Sequence, residues 1–417
     1  MAQRRRGSRI YWRERGGQPR AYGDFREYAD VGGAREALVP LGEKVATSDP
    51  VVAEKVVADR LRELQERRRN RTLLGVERQL GLEELASEHL VKKAQTGRFT
   101  EQWLEAVEAH LRAAVDFFGA ERDLASIRAT DVQKYVVYLQ TLPNGRGGTL
   151  SGGSVRKYLN SLSNLYRRAV AESVVPPGYN PVSALIEKPA AARREAKWLE
   201  VPEAALLLES ARTYRPERPE VSQPHLFPIV ATFLLTGGRE SEVLGLEVGD
   251  VSFDRKTVTF RPNDWRRLKT LTSHRTVRLW PQLEEILRGY VFGGNSPLGS
   301  LLFPSVRGDG ENMITDLRKA LDVIAVRAGW RAGDIRTKVF RHTYCAARLQ
   351  TLDRGAPVSE YTVARELGHG GRAMVERVYG HLGQVRHRSG VVEYRPEQHE
   401  EVLGERLAAL RAQADQG

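Results

Sequence analysis

Four short segments in the C-terminal half of the chain hold polar side chains whose types and spacing suit the chemistry of an anion. Thr236-Gly237-Gly238-Arg239-Glu240-Ser241-Glu242 joins the end of an apolar helix to the start of the next. The glycines supply backbone freedom for a sharp turn. Arg239 then falls beside a helix N-terminus, where negative charge is favoured, and Glu242, three residues on, shares its helix face and can hold the guanidinium. Lys269 lies in a turn rich in Lys, Thr and Ser, and Lys338-Val339-Phe340-Arg341-His342-Thr343 opens a helix. Leu367-Gly368-His369 is followed ten residues later by Tyr379. Two arginine forks can hold a phosphate bidentately, and the lysines add point charges. Taken singly, each residue has an ordinary explanation: a surface ion pair for an arginine, a solvated turn for a lysine, core packing for one of fourteen tyrosines. Their order along the chain is what argues for a shared site.

The elements that must position these groups can be read from periodicity. Strands are expected at Thr257–Phe260 and Thr276–Leu279, with Lys269 in the connection between them. An apolar run ends at Gly237, a helix carries Arg341, and His369 sits beside a glycine. The tail from Glu400 to Ala412, with Val402, Leu403, Leu407 and Leu410, reads as an amphipathic helix, placed either on its own domain or on a neighbouring subunit. Residues 189–197 are rich in proline and small residues with no apolar period, which reads as a linker carrying Arg193, Arg194 and Lys197.

Residues 81–188 are helical in pattern throughout. Thr100 is a cap candidate for a helix whose inner face is Trp103, Leu104, Val107, Leu111, Val115 and Phe118. Thr130-Asp131-Val132-Gln133 reads as a capping box. Ser154 opens a third helix, with Val155, Leu159, Leu162, Leu165, Tyr166 and Ala169 inward and Arg156, Lys157, Arg167 and Arg168 outward. Residues 1–75 form a further region. Arg4, Arg5, Arg6, Arg9, Arg13, Arg15 and Arg20 interleave with Ile10, Tyr11, Trp12, Tyr22 and Phe25 around Gly16-Gly17, as expected of a basic, aromatic hairpin. A helix begins near Pro50, capped by Ser48 or Asp49, with Val52, Val56, Leu61 and Leu64 at helical spacing.

Over 417 residues, 65 basic side chains face 53 acidic ones, a net charge of +12 that points to a polyanionic partner. A hydrophobic share of 41% is enough for packed cores, and a charged share of 28% is too ordinary for a disordered basic tail. The single cysteine, Cys345, excludes a disulfide scaffold and a cysteine zinc cluster. The longest apolar stretch falls short of the ~20 residues of a membrane span. The Arg-rich start lacks the apolar core of a secretory signal, so the expected location is the cytoplasm.

An Arg-x-x-Glu in a Thr-Gly-rich turn, a lysine hairpin ending in Arg275-Thr276-Val277-Arg278-Leu279, then Arg341-His342-Thr343, Leu367-Gly368-His369 and Tyr379 resembles the tyrosine recombinase (phage integrase) family of site-specific recombinases. The resemblance runs from Lys197 to about Leu382 and, more loosely, over 81–188, which is similar to the family's helical core-binding domain. The N-terminal segment is similar to the arm-type DNA-binding domain of longer integrases. The implied fold is multidomain: a small β-rich domain with a trailing helix (1–75), an all-α, SAM-like core-binding bundle (81–188), the linker (189–197), and a mostly helical α+β catalytic domain with a tail helix (198–417). Two departures stand out. Lys338 occupies the place of a family histidine, and His369 to Tyr379 is one residue longer than the commoner spacing.

The resemblance implies cleavage and rejoining of double-stranded DNA through a 3′-phosphotyrosine, with integration or excision of a mobile element as the role. Tyr379 would be the nucleophile, Arg239 and Arg341 the phosphate clamps, Lys269 the general acid to the 5′-oxygen, and His369 a phosphate donor, with Lys338 also in the site and Glu242 supporting. A tyrosine is ionised only about once in a thousand at neutral pH, so it needs a base or a strongly positive pocket. Arg4, Arg5, Arg6, Arg156, Lys157, Arg167, Arg193, Arg194 and Lys197 would contact DNA. No cofactor or metal is implied. A homotetramer on DNA, nucleoid association, and a DNA-bending or directionality factor are the expected partners and setting. The rival readings are a catalytically inactive DNA-binding regulator and a type IB topoisomerase-like enzyme.

Overall fold

The computed structural model describes residues 9–40, 43, 45–73, 78, 80–145, 147–190, 196–216, 225–266, 268, 273–293, 297, 299–306, 312–353, 355–373, 375–376 and 390–415. The chain divides into two compact units, Met1–Arg193 and Arg194–Gly417.

In the first unit, β1 (Ile10–Arg15), β2 (Gln18–Asp24) and β3 (Arg35–Ala37) form an antiparallel sheet. Tyr11 pairs with Tyr22 and Arg13 with Arg20, so one face is basic and aromatic. Arg13 lies over both tyrosine rings, 5.4 and 5.3 Å from their centroids. The alternate positions Ile10, Trp12 and Ala21 turn toward Ala53, Val57 and Leu64 of α1 (Pro50–Leu73). Asp49, rather than Ser48, caps that helix, accepting from the Val51 N–H at 2.8 Å.

A separate apolar core in the same unit is built by α2 (Leu82–Gln95), α3 (Glu101–Phe118), α4 (Ala129–Thr141) and α5 (Gly152–Ala171). Thr100 caps α3 through the Trp103 N–H at 3.3 Å. The start of α4 lies earlier than Thr130: Arg128 is the residue before its first turn, and its backbone N–H donates to Asp131 Oδ2 at 3.0 Å. On α5, Ser151 accepts from the Ser154 N–H at 3.2 Å, and the expected inner face, from Val155 to Ala169, is buried.

The second unit has one large core. Its centre is α7 (Leu226–Thr236), apolar on nearly every side and packed against α6 (Val201–Thr213), α9 (Pro281–Val291) and α11 (Thr337–Leu349). The short α8 (Glu240–Leu244) follows α7, and α10 (Arg318–Arg327) packs on α6. β4 (Val251–Ser252), β5 (Thr257–Phe260) and β6 (Arg275–Arg278) form an antiparallel meander, with Val258 opposite Val277. The last strand thus starts one residue before the expected Thr276, and its alternation turns Arg275 and Val277 inward. A two-stranded ribbon, β7 (Leu352–Asp353) and β8 (Ala356–Pro357), precedes α12 (Glu360–Glu366).

The tail helix α13 (Glu400–Asp415) lies on its own unit against α6 through Leu403, Leu407 and Leu410, each burial contributing roughly 1.5–3 kcal/mol before ordering costs. Val402 faces solvent. Among the described residues no helix is long and apolar enough to cross a membrane.

Candidate active site

The site forms where α7 ends. Gly237 has φ +62°, the left-handed conformation that terminates helices and that residues with a Cβ avoid. Its neighbour works differently from the expectation that both glycines lend flexibility. Gly238 has no positive φ; instead a Cβ there would come within 2.6 Å of Val243 and 2.9 Å of Phe260. The chain can therefore turn tightly into α8, with Arg239 just before its first residue.

Glu242, only 2% exposed, reaches back from that helix. Its Oε2 accepts from the Arg239 backbone N–H at 2.9 Å, and its Oε1 from Arg239 Nη1 at 2.6 Å. The same guanidinium donates to Ser273 Oγ at 3.2 Å and to the Gly368 carbonyl at 3.3 Å.

Arg341, on the first turns of α11, points to the same place. Nη1 donates to the Gly237 carbonyl at 2.8 Å, and Nη2 contacts the Leu367 carbonyl at 2.5 Å and His369 Nε2 at 2.8 Å. Arginine has no acceptor, so His369 Nε2 accepts, and a neutral ring carries its proton on Nδ1. That Nδ1 is buried with no hydrogen-bond partner among the described residues. Arg239, Arg341, His369 and Glu242 are thus brought together from three segments.

The ionisation states follow from burial and crowding. Burial, then the Arg341, Arg239 and Arg275 charges, lowers His369 to about 4, so it is neutral at physiological pH. Burial and the two neighbouring arginines push Arg341 down to about 10, where it remains charged. Burial alone would raise the Glu242 carboxyl, but Arg275 and Arg239 outweigh it and hold the group at about 2.

Lys338 is exposed on the first turn of α11, one turn before Arg341. The start of that helix is tied to α8 by Thr337 Oγ1, which donates to Glu240 Oε2 at 3.0 Å. Lys269 and Tyr379 lie outside the described residues, as do Arg4, Arg5, Arg6, Arg193 and Arg194. Tyr344, the other tyrosine near Arg341, is wholly buried and donates to Glu366 Oε2 at 2.9 Å. Burial, chiefly, raises its hydroxyl well above the ordinary range, which removes it as a rival nucleophile.

The expected DNA-contacting groups that are described lie on other elements. Arg156, Lys157 and Arg167 are exposed on α5, and Lys197 is exposed before α6. Arg156 Nε donates to the Pro189 carbonyl at 2.6 Å. Arg168, read from the sequence as part of that outer face, is instead half-buried and paired with Glu172, which also binds Lys92 at 2.8 Å and Arg78 at 3.1 Å. One acid shared by three cations draws Arg168 inward.

One residue of the hairpin motif, given no site role from the sequence, is buried here. Arg275 lies behind the clamp with its Nη2 2.8 Å from Glu242 Oε2. Its alternation with Val277 and Leu279 was the available signal, since three positions of equal parity face one side of a strand.

Residues 198–385 match the family model described as the phage integrase family. "Tyrosine recombinase XerD" of Mycobacterium leprae (strain TN) is 27% identical over 257 residues, covering 59% of this chain and 76% of that protein. The protein of the same name from Mycobacterium tuberculosis (strain CDC 1551 / Oshkosh) is 26% identical over 254 residues, with the same coverage. Among solved structures, the Tn1549 transposon integrase in complex with a circular intermediate DNA aligns with a TM-score of 0.54 at 15% identity, covering 72% of this chain and 95% of that one. A lambda integrase dimer bound to a COC′ core site aligns with a TM-score of 0.54 at 13% identity, covering 92% and 97%. Those two likenesses establish a shared fold. The phage integrase match lies within the unit that holds the clamp, and over that stretch the chain is similar to tyrosine recombinases.

Proposed function

We propose that this protein is a site-specific tyrosine recombinase that cuts and reseals double-stranded DNA through a 3′-phosphotyrosine on Tyr379, in the service of a mobile element. The observation that carries the reading is the convergence of the Arg239 and Arg341 forks beside a neutral His369. In the free protein the Arg341 guanidinium bonds the Gly237 and Leu367 carbonyls, and the Arg239 Nη2, beside the Nη1 pair with Glu242, bonds the Gly368 carbonyl. A phosphate's nonbridging oxygens are better acceptors for charged donors than neutral carbonyls. DNA therefore replaces the carbonyl contacts with stronger ones in a site already shaped for it.

The Tyr379 oxygen attacks the phosphorus and gives its proton to solvent water, while the bond to the 5′-oxygen breaks. Lys269 gives that oxygen its proton. Negative charge grows on the nonbridging oxygens as the pentacoordinate state forms, and Arg239 and Arg341 stabilise it where it develops. Attack by a 5′-hydroxyl from another strand reverses the step, so the ester energy is retained and no nucleotide is consumed. His369 joins the clamp by giving up its Arg341 contact, and Lys338 supplies a cation at the rim.

The basic positions carry the DNA. Arg156, Lys157, Arg167, Arg193, Arg194 and Lys197 serve the region around the cleavage point. The Tyr11, Arg13 and Tyr22 face of the N-terminal sheet, with Arg4, Arg5 and Arg6, serves flanking arm-type sites. The domain plan is 1–75 for arm contact, 81–188 for core contact, 189–197 as linker and 198–417 for catalysis. A homotetramer on two DNA sites in the cytoplasm, aided by a bending or directionality factor, completes the reading.

The test is a nicked suicide duplex that loses its 5′-fragment after cleavage. The native chain should give a covalent protein–DNA adduct that survives denaturation, and Tyr379→Phe should abolish it while retaining DNA binding. An undiminished adduct in that variant would contradict the assignment of the nucleophile.

A further inference from the structure

We propose that Arg275 is a positioning residue that sets the geometry of the phosphate clamp without touching the phosphate; this rests on the clamp reading above. Arg275 occupies an inward position of β6, and its side chain is 6% exposed. Burying a guanidinium is costly unless its donors are paired, and here the pairing reaches three separate segments. Nε donates to the Glu366 carbonyl at 2.6 Å, at the end of α12 and two residues before Gly368. Nη1 donates to the Ser273 carbonyl at 2.9 Å, on the strand side of the hairpin connection. Nη2 donates to Glu242 Oε2 at 2.8 Å, on α8. The planar group also lies over the Phe260 ring, 4.3 Å from its centroid.

Each acceptor belongs to a segment that aims one part of the clamp. Glu242 holds Arg239 through its other oxygen, so Arg275 and Arg239 grip one carboxylate from two directions and fix its plane. Ser273 offers its hydroxyl to Arg239 while its carbonyl is held by Arg275. The Gly368 turn, which presents a carbonyl to Arg239 and carries His369 to Arg341, packs directly on the guanidinium. A Cβ on Gly368 would lie 3.1 Å from Arg275 Nη1 and 3.3 Å from Ser273 Cα, and its φ of +67° is itself one that side chains disfavour. A lysine keeps the charge but offers one nitrogen, which cannot meet three acceptors spread around a plane. The clamp atoms would then lose register, and a misplacement on the order of 1 Å costs about 10²-fold in rate.

The experiment uses the full chain and the nicked suicide duplex, measuring the single-turnover rate of adduct formation at saturating protein and, separately, the affinity for an uncleavable duplex. Arg275→Lys should bind within about twofold of native and form adduct about 10²-fold more slowly. In Arg275→Ala, added methylguanidinium should restore part of the rate by refilling the planar donor site. Ile324→Ala, a core truncation on α10, serves as the stability control and should keep the native rate at a temperature where all three variants are folded. Native-rate cleavage by Arg275→Lys would overturn the inference, as would a loss matched by Ile324→Ala. A native chain that forms no adduct overturns the underlying clamp reading and this inference with it. A native adduct beside an unimpaired Arg275→Lys overturns the inference alone.

Discussion

Arg239, Arg275 and Arg341 in the second unit differ from Arg156, Lys157 and Arg167 on α5 in what surrounds them, although the side chains are of the same chemical kind. The first three are held by carboxylate, hydroxyl and carbonyl acceptors, and Arg275 is almost wholly buried. The α5 group is exposed, with single local partners such as Asn164 for Arg167 and the Pro189 carbonyl for Arg156. Placing a guanidinium in one buried geometry requires a second layer of residues to satisfy it. A solvated cation needs none and keeps its freedom to follow a mobile phosphate backbone. The contrast separates cations fixed in one buried geometry from cations left free in solvent.

That distinction can be broken first at Arg341. Arg341→Ala should reduce single-turnover cleavage about 10³-fold, at the upper end of what removal of one transition-state donor costs, while duplex affinity at saturating protein changes little. Next, Glu242→Ala leaves Arg275 buried without its carboxylate. Stability should fall by about 3–5 kcal/mol, read from the urea midpoint. An unchanged midpoint would mean the second layer is not needed to hold the clamp. A triple Arg156→Ala, Lys157→Ala, Arg167→Ala variant should do the reverse. It should flatten the slope of log K against log salt by about 0.9 per lost phosphate contact and leave the saturated cleavage rate near native.

Much of the clamp was legible from the primary structure because its key groups sit in short runs. Arg239 and Glu242 share a turn, Arg341 opens a helix, and His369 follows a glycine. Their convergence is as expected from that order. What stayed hidden has two physical origins. The acceptors that hold the forks are backbone carbonyls of Gly237, Leu367 and Gly368, and a carbonyl carries no residue identity for a pattern to reveal. The burial of Arg275, a residue of the hairpin motif, was hidden by a one-residue shift: a strand begun at Thr276 leaves it in the turn, whereas the strand begun at Arg275 points it inward beside Val277. Arg168 shows the converse, since helical spacing puts it on the outer face but the shared Glu172 draws it in. The tail helix read correctly as amphipathic, and its three buried leucines settle it on its own unit in the free chain.

The smallest expected effects are in pH. His369 is lowered from an ordinary 6.5 to about 4, mainly by burial. A group depressed in the folded state contributes stability that is full above its unfolded value and is lost as pH falls through its folded value. Stability should therefore decline from about pH 6.5 toward 4, and His369→Gln should flatten that part of the profile in urea titrations. Glu242, held at about 2, adds a second decline below its own unfolded value of 4.5. An imidazole NMR titration of His369 should show a midpoint near 4, and a midpoint near 6.5 would contradict its enclosure by the arginines.

The most direct test of the central claim is to map the covalent bond itself. After reaction of the native chain with the nicked suicide duplex, nuclease trimming and trypsin digestion, mass spectrometry should find the nucleotide remnant on the peptide that contains Tyr379. Arg341→Ala should yield little of that species under the same conditions. A remnant on another residue, or no adduct from the native chain, would contradict the account.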